Sequence, residues 1–540
     1  MTARPARVML RTWMMALAAL LALSCAVGPA AAQTGAPASA RQQPAPGAKL
    51  VEKMPEAAPP RPFAFPTPVS KTLPNGLRVF VVSARARGAN VPVDPAVSVE
   101  MLIRNAGSSR DPQAKPGLAS FTGDLLRQGT EKRTAQEIAA AIDFVGGSLN
   151  AGAGRDSTTL GVTVVKKDFE LGMDLLSDIT LHAKFAPEEI ARRQQRAISG
   201  FRSRYEDADY LASAVFRRMI FGTSAYGMPP DGTPASVSAI AREDLVAFRD
   251  QYYLPNETIM AFAGDITPDE AFAAAEKYFG AWTKKAVTPP AIALPEQPRG
   301  LHILVIDMPD AVQTQIRVGR LGIPRNHPDF LPLSVTNYIF GGGFNSRLNV
   351  ETRVNRGLTY GASSIFTGAL YAGDFVADTY TRTDATVETT KVILDEIRKM
   401  GGGQVTANEL NLARDYLSGV FVIATETPNQ VAGRVTNAAF YGLPDDYNQT
   451  YPAKVRAMTV EQVKQMAGRY FDANNEDLVL AGNAAAFRDG LKAAFPTAKY
   501  EEIAADDLDL MAQNLRKAAP AGAGKPAAGL AAPGFADSGR

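Results

Sequence analysis

The sequence predicts an α+β protein whose fold is laid down twice, and three observations carry that prediction. Two stretches, about 63–283 and 301–510, repeat one order of elements. Each opens on alternating apolar residues, continues through a helix and a Gly-punctuated turn into another strand, and reaches a Thr-led helix. Between them, Lys284 to Gly300 carries Pro289, Pro290, Pro295 and Pro298, the composition of a linker. A chain of 540 residues is also too long for one hydrophobic core, so several domains are expected.

Composition narrows the function classes. With 46% hydrophobic and 21% charged residues the chain is globular in type, and a net charge of +2 excludes a nucleic-acid surface or a polybasic anchor. At the start, Arg4, Arg7 and Arg11 precede an apolar run from Trp13 to Val27, and Ala30, Ala31 and Ala32 form a small-residue cleavage pattern. Residues 1–32 therefore read as a signal peptide with Gln33 as the mature start, a leader of Gram-negative type that delivers the protein to the periplasm. A permanent membrane span fits less well, because the run is short and ends in Gly28-Pro29. Cys25, the one cysteine, lies inside the leader, so the mature chain would hold neither thiol nor disulfide. A lipoprotein junction at Ser24-Cys25 is the alternative, although Ala22-Leu23 fits that signal poorly. Residues 33–62 and the tail 511–540 are rich in Ala, with Pro and Gln or Gly, and read as disordered.

Within the patterned body, Pro74-Asn75-Gly76 between Thr72 and the run Leu77 to Val82 predicts a hairpin, since Asn-Gly supplies positive φ angles. Val97, Val99, Met101 and Ile103 alternate as a strand with one buried face. Ile316, Val318 and Leu321 do so less cleanly in the second half. Helices are announced by Thr134-Ala-Gln-Glu137, Thr267-Pro-Asp-Glu270, Thr406-Ala-Asn-Glu409 and Thr459-Val-Glu-Gln462. In such capping boxes the Thr oxygen and the acidic or amide side chain satisfy otherwise unpaired backbone N–H groups. They locate helices and carry no chemistry of their own.

Several of these segments, in this order and spacing, resemble one known family. They are Leu73-Pro-Asn-Gly-Leu-Arg-Val79, Asn105-Ala-Gly-Ser-Ser-Arg-Asp111, Pro116-Gly-Leu-Ala119, Gly146-Gly-Ser-Leu-Asn-Ala151, Arg155-Asp156, Tyr253-Leu-Pro-Asn256, Ala263-Gly-Asp265 and Lys277-Tyr-Phe-Gly280. Phe340-Gly-Gly-Gly-Phe-Asn-Ser-Arg-Leu348 and Arg356-Gly-Leu-Thr-Tyr360 continue the pattern in the second half. Together they resemble the pitrilysin/insulinase zinc peptidases, in the branch similar to the mitochondrial processing peptidase, from about residue 64 to 500. The resemblance implies two homologous mixed α/β domains arranged as a clamshell.

The family binds zinc through an inverted His-x-x-Glu-His on a helix, with the Glu as general base and a later Glu as third protein ligand. At the matching positions this chain has Ser120, Gly123 and Asp124, and Gly200 falls where the third ligand belongs. Serine is a poor zinc ligand, glycine offers no side chain, and one aspartate completes no zinc set. The chain's three histidines, His182, His302 and His327, show no ligand spacing on a helix, though a scattered trio can converge in space. No neighbouring His or Lys activates Ser120 as a nucleophile. Gly123 inside a helix costs about 1 kcal/mol relative to Ala, which implies either relaxed selection or a close packing contact.

The second half keeps what the first has lost. Asn345 to Asn355 reads as a helix, Gly357 as its left-handed stop and Leu358 to Phe366 as the next strand. In the family an Arg late on this helix and a Tyr on this strand bind the substrate backbone and stabilise the oxyanion. The matching residues are Arg353 and Tyr360, and guanidinium and phenol are donors suited to developing negative charge. The plainer reading makes Arg353 a complement to the helix C-terminus and Tyr360 a half-buried strand aromatic. Arg347 and Arg356 are rivals for the role.

Some bacterial members of the family divide the site between two chains, one with the zinc motif and one without it but with the Arg/Tyr pair. The resemblance thus implies a non-catalytic, substrate-binding subunit, with no cofactor of its own and zinc in a sister chain. Peptides would be the other partner, and no transmembrane segment would remain after signal removal. The alternatives are an envelope scaffold that holds peptides without cutting them, and an autonomous enzyme with altered metal chemistry.

Overall fold

Two six-stranded mixed sheets organise the chain, one from each half. The computed structural model describes residues 64–84, 94–289, 291–296 and 299–518; the signal-peptide and spacer expectations and most of the tail lie outside them. The first sheet contains β1 (Val69–Thr72), β2 (Arg78–Ser83), β3 (Ala96–Arg104), β4 (Ser148–Ala153), β5 (Ser157–Val165) and β6 (Thr258–Gly264), in the order β1-β2-β6-β3-β5-β4. The second contains β7 (His302–Asp307), β8 (Gln313–Leu321), β9 (Ala362–Phe366), β10 (Asp374–Arg382), β11 (Asp477–Gly482) and β12 (Lys499–Ala504), in the order β12-β7-β11-β8-β10-β9.

Five strands of each sheet superimpose in order: β2, β6, β3, β5, β4 against β7, β11, β8, β10, β9. The parallel pair recurs as well, β2 with β6 and β7 with β11. Only the sixth strand differs, because β1 pairs antiparallel with β2 whereas β12 pairs parallel with β7. The repeat of elements legible in the sequence is therefore a repeat of topology, two homologous mixed α/β domains.

The sequence expectation of strands with one buried face is corrected. On β3, Ser98 and Leu102 are buried as fully as the Val97, Val99, Met101 and Ile103 set, and every residue of β6 is buried. The second face of each sheet is covered by a helix from the other half. Helix Pro428–Phe440 lies on β3 and β6, where Val431, Ala432 and Val435 pack with Val82, Ala261 and Ala263. Reciprocally, Leu211, Ala212 and Val215 of helix Ala208–Phe221 pack with Leu304, Val479 and Ala481 of the second sheet. This exchange explains the blurred alternation on β8, where Arg317 is buried and bonded to Asp209 of that helix. It also half-buries Glu100, whose carboxylate accepts a hydrogen bond from Thr436 Oγ1 at 2.7 Å and is pushed up from the usual carboxylate range by desolvation.

Local signals hold in detail. All four Thr-led capping boxes form. The hairpin at Pro74 is present but of a different turn type. Gly76 N–H donates to the Leu73 carbonyl and only Gly76, at φ +91°, has positive φ, so it is a type I turn closed by a left-handed glycine. Asn75 instead spends its side-chain amide on the carbonyls of Phe279 and Trp282, fixing the hairpin to the end of helix Pro268–Phe279. The linker 284–300 has no helix or strand among its described residues. At the other end the body runs past residue 510: Leu508, Leu510 and Leu515 are buried, so the packed chain reaches further than the tail boundary expected from composition.

One buried group stands out energetically. Glu476, in the turn before β11, is wholly buried, and neither carboxylate oxygen has a hydrogen-bond partner. Desolvation raises its pKa well above the ordinary value, with only the charge of Arg320 opposing. Its folded pKa lies above its unfolded pKa, so its stability contribution is greatest at acid pH and is lost as pH rises. Glu476→Gln is expected to raise the melting temperature at pH 8, by the equivalent of about 1–3 kcal/mol. Thermal melts across pH should show that gain closing toward pH 4; a gain independent of pH would contradict the assignment.

Candidate functional site

The helix that carries the family's zinc motif is built and anchored here, Leu118–Leu125. Its start is held by Asp111, whose carboxylate accepts the N–H groups of Gly117 and Ala119, both at 2.7 Å. Loss of water outweighs those donors and pushes the Asp111 carboxyl up to about 7. The helix packs with Phe121 and Leu125 in the first core, next to edge strand β4.

What the helix presents has changed. Ser120 is half-buried, and its hydroxyl has no hydrogen-bond partner among the described residues. At Gly123 the helix backbone comes so close to β4 that an added Cβ would lie 2.7 Å from Ala153 N and 3.0 Å from the Gly152 carbonyl carbon. Of the two readings the sequence allows for this glycine, close packing is the one realised. Asp124 is engaged by Arg193, at 2.8 Å, from helix Pro187–Glu206. The same guanidinium stacks on Phe121 at 4.4 Å. Further along that helix Gly200 is exposed, with nothing within 4 Å of an added Cβ.

Zinc therefore has no fitting donor set at the family position. One carboxylate is present, already bonded to a guanidinium whose charge repels a dication, and the backbone occupies the space a Glu side chain needs. Among the described residues no group of three His, Cys, Asp or Glu stands together to hold a metal. The histidines lie on separate elements: His182 ends helix Phe169–Leu181, His302 opens β7 beside Glu501 at 3.1 Å, and His327 lies near Asp329. Arg193 was not singled out by sequence reasoning, and its signal, a basic residue one helix away from Asp124, is visible only once the chain is folded.

The second-domain pair is brought together. Arg347–Asn349 starts as α-helix and continues as a wider π-helical turn over Val350–Asn355. The turn ends in a left-handed cap: Gly357, at φ +61°, donates its N–H to the Arg353 carbonyl, the 5→1 bond of the αL motif, and Leu358 N–H donates to the Thr352 carbonyl. Tyr360 lies before the strand, not on it, because β9 begins at Ala362. Here the Thr359 hydroxyl accepts the Gly361 N–H at 3.1 Å, replacing ladder pairing with a local turn.

That geometry leaves Tyr360 74% exposed, and the Arg353 guanidinium lies 4.6 Å from its ring centre and 5.0 Å from that of Phe344. Phe344, itself 69% exposed, is a third member of the cluster. Asn349 fixes the arrangement, donating to the Phe344 carbonyl and accepting the Ala362 N–H. Among the described residues the side chains of Arg353 and Tyr360 make no hydrogen bond or ion pair. Their rivals are committed elsewhere: Arg347 to Glu409 at 2.8 Å, and Arg356 to Glu351 at 2.7 Å and to Glu388. Glu409 also serves its capping box, so a residue read only as a helix start ties the two helices together. Two aromatic faces hold a guanidinium whose N–H groups stay free for an acceptor from outside.

Comparison with known proteins agrees with this architecture. Residues 88–225 match the family model described as Insulinase (Peptidase family M16), and residues 239–417 match Peptidase M16 inactive domain. An uncharacterized zinc protease of Mycobacterium leprae is 29% identical, over 73% of this chain and 87% of its own length. One from Bacillus subtilis is 23% identical, over 76% and 96%. A crystal structure titled peptidase M16 inactive domain, from Pseudomonas fluorescens, matches at TM-score 0.71 and 28% identity, covering 77% of this chain and 98% of that one. A protease from Helicobacter pylori shares the fold at TM-score 0.71 and 19% identity, covering 77% of this chain and all of its own. With the topology duplicated, the motif helix in place and its ligands replaced, the chain belongs to the pitrilysin/insulinase (M16) peptidase family as a member without the family's zinc-binding residues.

Proposed function

We propose that this protein is the non-catalytic subunit of an exported zinc peptidase, presenting Arg353 and Tyr360 to a peptide held at the metal of a zinc-bearing sister chain. The observation that carries the reading is the unpaired, half-buried guanidinium of Arg353 between the exposed rings of Phe344 and Tyr360, in a chain whose own zinc positions are filled by backbone and by an ion pair. A helix terminus needs no such aromatic seat for an arginine, and a strand aromatic is not expected to be this exposed. The periplasm is the compartment that the leader implies. No described helix is long and apolar enough to cross a membrane.

The reading is tested by recovering the native complex with this chain as bait and measuring its zinc. The expected result is a second family member in near-equal amount, about one zinc per pair, and peptidase activity in the pair but not in this chain alone. Recovery of the chain without a zinc-bearing relative would favour the scaffold alternative. Stoichiometric zinc with cleavage by the isolated chain would establish an autonomous enzyme.

A further inference from the structure

Helix Ala208–Phe221 has a second face, away from the sheet it covers. Tyr210, Ser213 and Arg217 share that face and wall a cavity of about 260 Å³, closed on the other side by Pro229, Pro230 and Leu510. Arg217 is half-buried, yet its guanidinium makes no hydrogen bond and no ion pair among the described residues. The charged groups around it are otherwise engaged. Arg218 donates to the carbonyls of Leu510, Ala512 and Gly222. Asp231, at the rim, is bound by Arg204 at 2.9 Å.

A second guanidinium makes the imbalance larger. Arg155 rests on the rings of Phe221 and Tyr226, at 5.1 and 4.8 Å, likewise without an ion pair among the described residues. Its charge adds to burial in lowering the Arg217 pKa, while Asp374 and Asp231 act in the opposite direction from beyond contact distance. Two half-buried guanidiniums without an ion pair leave an excess of positive charge beside this cavity, which an anion would offset.

We propose that this cavity is a binding site for a small carboxylate with an apolar body, held by the guanidinium fork of Arg217. The fork matches a carboxylate in two parallel hydrogen bonds. The proline and leucine walls suit the apolar body, and Asp231 at the rim disfavours a dianion such as phosphate. This site is independent of the peptidase reading, since it involves neither Arg353 nor the zinc positions.

Thermal-shift titration of the full chain tests it, with benzoate, its neutral isostere benzamide and inorganic phosphate as probes. Wild type is expected to show a saturable rise of a few degrees with benzoate, as ligand bound only to the folded state requires, and none with benzamide. Phosphate is expected to bind at least tenfold more weakly than benzoate. Arg217→Gln should abolish the benzoate response and melt no lower than wild type, because it removes an unpaired charge. Arg217→Lys should keep a weaker response, and Arg155→Gln should lower benzoate affinity several-fold. An undiminished response in Arg217→Gln, an equal response to benzamide, tighter binding of phosphate, or no saturable response in wild type would overturn the proposal.

Discussion

Arg353→Ala is expected to lower the peptidase rate of the assembled complex about 10²–10³-fold, the cost of removing one preorganised donor from a developing oxyanion. The loss should fall on kcat with little change in KM, because a donor aimed at charge that develops during reaction stabilises the transition state more than bound substrate. Folding should be little affected, since the Arg353 side chain has no ion pair or hydrogen bond to lose among the described residues, only its contacts with two exposed rings. Tyr360→Phe separates the two functions of its neighbour. The ring that seats the guanidinium at 4.6 Å remains while the phenol is gone. A large loss of kcat identifies the hydroxyl as a donor, whereas a near-normal rate makes Tyr360 a positioning residue for Arg353. Arg356→Ala is the control: its partners Glu351 and Glu388 form a surface network of the kind worth about 0–1 kcal/mol, so the rate should hold. Wild-type kinetics in Arg353→Ala would remove the shared-site reading.

The difference between Arg353 and its neighbours was not available from sequence. Three arginines, Arg347, Arg353 and Arg356, lie within one short segment, and each suits the role by residue type. Only the fold shows that Glu409, which follows 62 residues after Arg347, claims the first, and that Glu351 and Glu388 claim the third. Signals confined to one turn of chain were legible: Thr134, Thr267, Thr406 and Thr459 cap their helices, and Gly357 takes the left-handed stop. Each of these is decided by backbone donors and acceptors within a few residues.

What failed to show was long-range. The exchange of helices Ala208–Phe221 and Pro428–Phe440 covers faces of β8 and β3 that local alternation marks as open, and Glu100 meets Thr436 across 336 positions. The π-helical turn under Arg353 is indistinguishable from ordinary helix in the sequence, since its residues carry no local mark of the wider winding. Phe344 has no role legible from its place in the Phe340–Leu348 signature, because an exposed aromatic gains meaning once the guanidinium it faces is placed. The zinc loss lies between these cases. Replacement of the ligands was visible in Ser120, Gly123, Asp124 and Gly200, but whether the site could be restored depended on how closely β4 approaches.

That approach gives the second large prediction, a difference of sign between two glycines of the former zinc set. Both lie within helices, where Gly→Ala ordinarily stabilises by about 0.5–1 kcal/mol. Gly200→Ala should do so, being exposed with nothing within 4 Å of the new Cβ. Gly123→Ala should instead destabilise by about 1–3 kcal/mol, because its Cβ would meet the Ala153 nitrogen at 2.7 Å and the Gly152 carbonyl carbon at 3.0 Å. Both contacts are to backbone of β4, which is paired with β5 and cannot withdraw without opening that ladder. Urea denaturation of the two variants decides the matter, and stabilisation of both would show that the helix stands further from the strand than described. If the signs are opposite, restoring S120H, G123E, D124H and G200E together should yield no stoichiometric zinc. A glutamate at 123 carries the same clash with a longer side chain, and a histidine at 124 strips Arg193 of its carboxylate. The chain would then be excluded from autonomous catalysis by its backbone as well as by its residue types, and peptide cleavage involving it would need the metal of another chain.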